Sequence, residues 1–186
     1  IGQVWVYANY REPVAVVEDD DGYHLVDDSG VLLPLSYKES ELAYLGLPML
    51  TGISMPRPKK VGNLWAGNDL QAALDLVRYL HDEPYMDQVA VFDVSRTDHS
   101  GRPHLVIRTR QGWLIRWGLA PHVDQMTEQR TKTKKRWLAG LFANPNLDSQ
   151  GHIAFDLSGA TLYAYQDGQA LGQRGFSYHL AGDTTH

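Results

Sequence analysis

The 186-residue sequence contains no cysteine, which excludes disulfides, iron–sulfur clusters, thiolate zinc sites and cysteine nucleophiles together. Lack of disulfides does not fix a compartment, because a secreted chain can also fold without them. Long apolar runs are missing as well. A membrane helix needs roughly 20 consecutive apolar residues, and the most apolar stretch, Leu42 to Leu50, is interrupted by Gly46 and Pro48. No signal peptide is visible, and the first residue is Ile1 rather than methionine, which reads as a processed or truncated fragment with room for an anchor upstream. There is also no excess of positive charge: 17 basic residues against 22 acidic ones give −5 with histidines neutral. Nucleic-acid affinity is therefore not a property of the whole surface.

The rest is ordinary for a folded chain, with 43% hydrophobic and 21% charged residues. The length suggests one domain or one and a fraction. Ile1 to Tyr10 alternates, with Val4, Val6 and Ala8 on one face and Trp5 and Tyr7 on the other, and reads as a strand. Val14 to Val17, Tyr23 to Val26 and Val31 to Leu33 follow as strands. They are joined by an acidic turn, Glu18 to Gly22, and by Asp27-Asp28-Ser29-Gly30. Leu47 to Ile53 is an apolar segment ahead of a proline-rich loop, Met55 to Lys60. A helix capped by Asn68 or Asp69 then carries Leu70, Ala73, Leu74, Val77 and Leu80 on one face and stops before Pro84. Strands are expected at Val89–Val94, His104–Thr109, Trp113–Trp117, His152–Leu157 and Thr161–Tyr165, and a second helix over Thr127 to Phe142. Residues 166–186, rich in glycine, read as a loose tail. About eight strands interrupted by single helices predict an α+β fold, a mostly antiparallel sheet packed with two main helices.

Signs of catalysis are sparse. The eight histidines form no HxH, HxxxH or HExxH pair, so none is expected to ligate a metal. The serines have no GxSxG or SxxK setting, and the glycines form no GxGxxG or P-loop. The acidic groups Glu18–Asp21 and Asp27-Asp28 fall at hairpins, where Asp is favoured for its bonds to the backbone. One charge feature stands out: residues 130–136, Arg-Thr-Lys-Thr-Lys-Lys-Arg, hold five of the 17 basic residues. The favoured reading is the solvated face of a helix whose other side uses Trp137, Leu138 and Leu141. The other is an anion-binding module for a polymer or lipid. A cell-envelope hydrolase with a distributed His/Asp site is the enzymatic alternative.

Four segments in order, with their spacing, resemble the extracytoplasmic part of the FtsQ/DivIB cell-division family. They are Tyr10-Arg11-Glu12-Pro13-Val14-Ala15-Val16-Val17, Leu25-Val26-Asp27-Asp28-Ser29-Gly30-Val31-Leu32, Leu47-Pro48-Met49-Leu50-Thr51-Gly52-Ile53 and Thr109-Arg110-Gln111-Gly112-Trp113-Leu114-Ile115-Arg116-Trp117-Gly118. Lys135-Arg136-Trp137-Leu138 sits where that family has a lysine-led amphipathic helix, and Phe155-Asp156-Leu157 is similar to its closing strand. The resemblance implies that residues 1–12 are the last strand of a POTRA-like domain, 13–165 the β domain and 166–186 a tail. It further implies a non-enzymatic scaffold without cofactors, small-molecule substrates or nucleic acid. Such a scaffold would be anchored in the inner membrane by an upstream helix, with this domain in the periplasm. It would bind division proteins of the FtsB/FtsL type through a terminal edge strand. The partner-binding residues implied are Phe155, Asp156, Ser158, Gly159, Thr161, Tyr163 and Tyr165. An edge strand suits this role because its unpaired N–H and C=O groups can be extended by a partner strand.

Overall fold

A computed structural model describes residues 3–5, 10–123, 131–144, 153–159, 162–166 and 169–171. The backbone builds one mixed sheet of ten strands. In chain order these are β1 (Ala15–Asp19), β2 (Gly22–Val26), β3 (Leu32–Tyr37), β4 (Met49–Thr51), β5 (Val89–Thr97), β6 (Pro103–Thr109), β7 (Leu114–Gly118), β8 (Ile153–Asp156), β9 (Tyr163–Gln166) and β10 (Gln169–Leu171). Across the sheet they run β10-β9-β8-β7-β6-β5-β4-β1-β2-β3. The β1–β4, β4–β5 and β7–β8 contacts are parallel and the other six antiparallel. Among the described residues three α-helices accompany the sheet: α1 (Glu39–Leu42), α2 (Asn68–Leu80) and α3 (Thr131–Phe142). This is the expected α+β class.

Local chemistry accounts for the turns. Between β1 and β2 the Asp19 carboxylate accepts from the Asp21 N–H at 2.8 Å. Between β2 and β3 Asp27 Oδ1 accepts from the N–H groups of Ser29 (3.0 Å) and Val31 (2.8 Å). Arg11 forms an ion pair with the same buried Asp27, which fastens the chain leading into β1 onto this turn. The acidic clusters are turn-makers, as their positions in the sequence suggest.

The core lies on one face of the sheet. The expected stripe of α2, Leu70, Ala73, Leu74, Val77 and Leu80, is buried there with Leu138 and Leu141 of α3. They meet Val17, Leu50, Phe92, Ile107, Ile115 and Phe155 from the strands. Each such aliphatic side chain contributes about 1.5–3 kcal/mol on full burial. A smaller cluster on the other face, Val16, Leu25 and Leu33, is covered by Leu42 of α1 with Leu45 and Leu47. An aromatic series threads the main core: Tyr85 stacks on Phe142 at 4.7 Å, and Trp113 lies 5.8 Å from Phe142 and 6.0 Å from Phe155.

Several expectations are corrected. Of the strand read over residues 1–10, the described residues 3–5 and 10 form no strand, with Val4 and Trp5 mostly exposed; the others lie outside the described residues. The N-cap of α2 is Gly67, one residue before Asn68. Asp69 instead turns its carboxylate to the Ser54 N–H at 2.6 Å, so it ties down the loop after β4. The second helix begins, among the described residues, at Thr131; residues 127–130 lie outside them. Residues 169–171, read as tail, form β10.

Candidate functional site

A ten-stranded open sheet has two edges, and the chain treats them differently. At one end, β3 is closed off by the loop that precedes α2. The Leu32 N–H donates to the Asn63 carbonyl at 3.0 Å, and the Gly62 N–H donates to the Leu32 carbonyl at 2.8 Å. Val31 and Leu64 add an antiparallel bridge. Farther along, Pro34 has no N–H to offer, and Leu35 takes a φ of 75°, which breaks the strand's regularity. Such features protect an edge from accidental pairing.

At the other end the sheet closes with β8, β9 and β10. The register pairs Asp156 with Tyr163, Ala154 with Tyr165, Tyr165 with Ala170 and Gln166 with Gln169. Among the described residues no strand pairs with the outer side of β10. Among the described residues the outer strand at this end is therefore β10. The strand expected at 152–157 is β8, and it lies between β7 and β9.

The implied site residues separate by position. Phe155 is 1% exposed and packs edge-on against Trp113, so it is a core residue. It cannot touch a partner while the domain is folded. Asp156 faces the opposite side of β8 and is half-buried. Its Oδ1 accepts from the Ser158 N–H at 2.9 Å and from the Ser158 hydroxyl at 2.6 Å, and its Oδ2 lies 3.7 Å from Arg116. Ser158 and Gly159 are half-buried where the chain leaves β8. Thr161 lies outside the described residues. Tyr163 is 43% exposed, while Tyr165 is half-buried. Because Ala164 between them is buried and pairs with Phe155, the two tyrosines project to the face away from α2 and α3. The structure thus brings Asp156, Tyr163 and Tyr165 together on one face and removes Phe155 from it.

The sequence reading missed β10, although a signal was present. Gln166 and Gln169 are separated by Asp167-Gly168, a strong two-residue hairpin signal. Those two residues lie outside the described residues.

The basic stretch is a solvated face only in part, with Leu138 and Leu141 buried on its other side as expected. Lys134 is 2% exposed, and Lys135 pairs with Glu83 at 2.6 Å and lies 4.8 Å from the Tyr79 ring. Lys132 and Arg136 are exposed, and Arg130 lies outside the described residues. Burial pushes Lys134 down to about 7, and the charge of Asp156 pulls the other way. Burial also lowers His104, against the raising influence of Asp98 and Asp156. Among the described residues no three His, Asp or Glu side chains converge as metal ligands would. His24 is buried with Nε2 at 3.2 Å from Asp19, the carboxylate that also accepts from Arg57.

No protein-family model matches the sequence, and none of the curated proteins is significantly similar to it.

Proposed function

We propose that this chain is a non-enzymatic scaffold of the bacterial division machinery, of the FtsQ/DivIB type. In this reading it is tethered to the inner membrane by a helix upstream, faces the periplasm, and binds division proteins of the FtsB/FtsL type. Binding proceeds by strand addition to β10, with Tyr163 and Tyr165 as anchors on the adjoining face.

The observation that carries the reading is the asymmetry of the sheet. One edge is blocked by a paired loop, a proline and a positive-φ leucine, whereas among the described residues no strand covers β10, which lies beside the β9 strand carrying an exposed tyrosine. An open edge supplies main-chain hydrogen bonds to a partner, and a neighbouring aromatic supplies buried area with few rotors to freeze. The order of the four family-like segments supports the same assignment.

Titration calorimetry of the domain with the extracytoplasmic segments of the organism's FtsB- and FtsL-type proteins tests it. A saturable complex with protected amides in β10 is expected. Absence of binding, or a full-length product that fractionates as soluble cytoplasmic protein, refutes it.

A further inference from the structure

We infer that Asp156 is a positioning residue that holds the β8–β10 end of the sheet in its binding-ready arrangement, and is not a contact of the partner. The inference rests on the reading above for what the edge binds. Its structural part stands on the geometry of β8, β9 and β10 and does not depend on the partner.

Asp156 has little left to offer a partner. Its side chain is 19% exposed and its strand has neighbours on both sides. Oδ1 already accepts two hydrogen bonds from Ser158, and Oδ2 faces Arg116. A carboxylate that accepts from the N–H two residues on closes a local turn at the end of its strand. Here that turn encloses Leu157, whose N–H donates to the Arg116 carbonyl at 2.9 Å and whose side chain is fully buried. The chain therefore leaves the sheet in a fixed direction. Tyr163 is paired directly with Asp156, so that direction also sets where β9 begins and how its tyrosines are displayed.

The clasp on Ser158 is the main element, because the Arg116 pair at 3.7 Å is half-exposed and such pairs contribute little. A short outer hairpin needs this help. β10 has three residues and, among the described residues, pairs with β9 alone, so its opening free energy is expected at the low end of the domain. A partner that adds to β10 binds only the closed form, and its apparent affinity falls with the closed fraction.

The test uses Asp156→Ala and Asp156→Asn, with amide hydrogen exchange and binding of the same FtsB- and FtsL-type segments. Asn keeps an acceptor oxygen for the Ser158 N–H, and Ala keeps none. In Asp156→Ala, exchange at residues 163–166 and 169–171 should rise by about tenfold or more while β5 and β6 stay protected. Affinity should fall by a similar factor. Asp156→Asn should restore both. Unchanged exchange in the alanine variant overturns the inference, as does exchange raised uniformly through the core. Loss of binding in both variants with exchange unchanged makes Asp156 a partner contact and also overturns it. If Asp156→Ala does not fold, Ser158→Ala removes the 2.6 Å bond alone, and its exchange pattern is read by the same criteria. If the wild-type domain binds neither segment, the proposed function fails, and exchange still decides the role of Asp156.

Discussion

The ammonium of Lys134 donates to the backbone carbonyl of Trp117 at 2.8 Å and lies 5.3 Å from the centre of that residue's indole ring. A helix residue thus reaches down to a strand carbonyl in the core, where a lysine is expensive to keep charged.

This burial makes stability depend on pH. Lys134 loses its proton near pH 7 in the folded state and near 10.5 when unfolded. Between those values the unfolded chain binds more protons, so stability rises with pH; below pH 7 both states are protonated and the slope from this group vanishes. Lys134→Met should remove the rise between pH 7 and 9. At pH 6 it should stabilise the domain, less about 1.5–3 kcal/mol for the lost charged hydrogen bond. Urea unfolding at pH 6, 7.5 and 9 measures this. An equal slope in both proteins would assign the pH dependence to another group.

Phe155→Ala should cost about 3–5 kcal/mol, as large core truncations do. Phe155 is 1% exposed and ends the aromatic series that runs through Trp113 and Phe142 to Tyr85. Chemical denaturation gives the value. A loss under about 1 kcal/mol would mean that the site collapses around the gap, or that β8 is loosely packed.

Gly52 ends β4 with a φ of 80°, and a Cβ there would lie 2.4 Å from the Ser95 backbone nitrogen. Neither strain nor clash can be relieved by a rotamer change, because the obstacle is main chain. Gly52→Ala should destabilise by about 3 kcal/mol or more, combining left-handed strain with overpacking. A melting temperature within a few degrees of wild type would show that β4 and β5 can separate at this point.

Much of the fold was legible because periodicity and turn chemistry agree with it. The stripe from Leu70 to Leu80 is the buried face of α2, and the Asp27–Gly30 segment is the hairpin it reads as. Capping was misjudged because Asp69 has a tertiary partner, the Ser54 N–H, that no local rule contains. Lys134 was read as solvated because a row of basic residues carries no sign of which one turns inward. In the candidate site, period-two alternation separates Phe155 on the core face from the tyrosines, while the family resemblance groups them as one binding set. It could not tell whether β8 is an edge. Strand order is a property of long-range pairing, and β10 decides it with only three residues.

Tyr163→Lys with Tyr165→Lys separates fold from function at this edge. Ala164, between the two, is the core-facing residue of β9, and the tyrosines point the other way. A lysine at 163 stands opposite Asp156, where cross-strand pairs of opposite charge are tolerated or favourable. At 165 its aliphatic stem can cover Ala154 and reach water with its ammonium. The melting temperature should therefore stay within a few degrees of wild type. Accessible aromatics beside an edge strand are strong interface anchors, so affinity for the FtsB- and FtsL-type segments should fall about tenfold or more. Calorimetry paired with thermal unfolding reads both quantities. A double variant that unfolds would make the tyrosines part of the domain's own packing, and one that binds as well as wild type would move the docking surface away from β9.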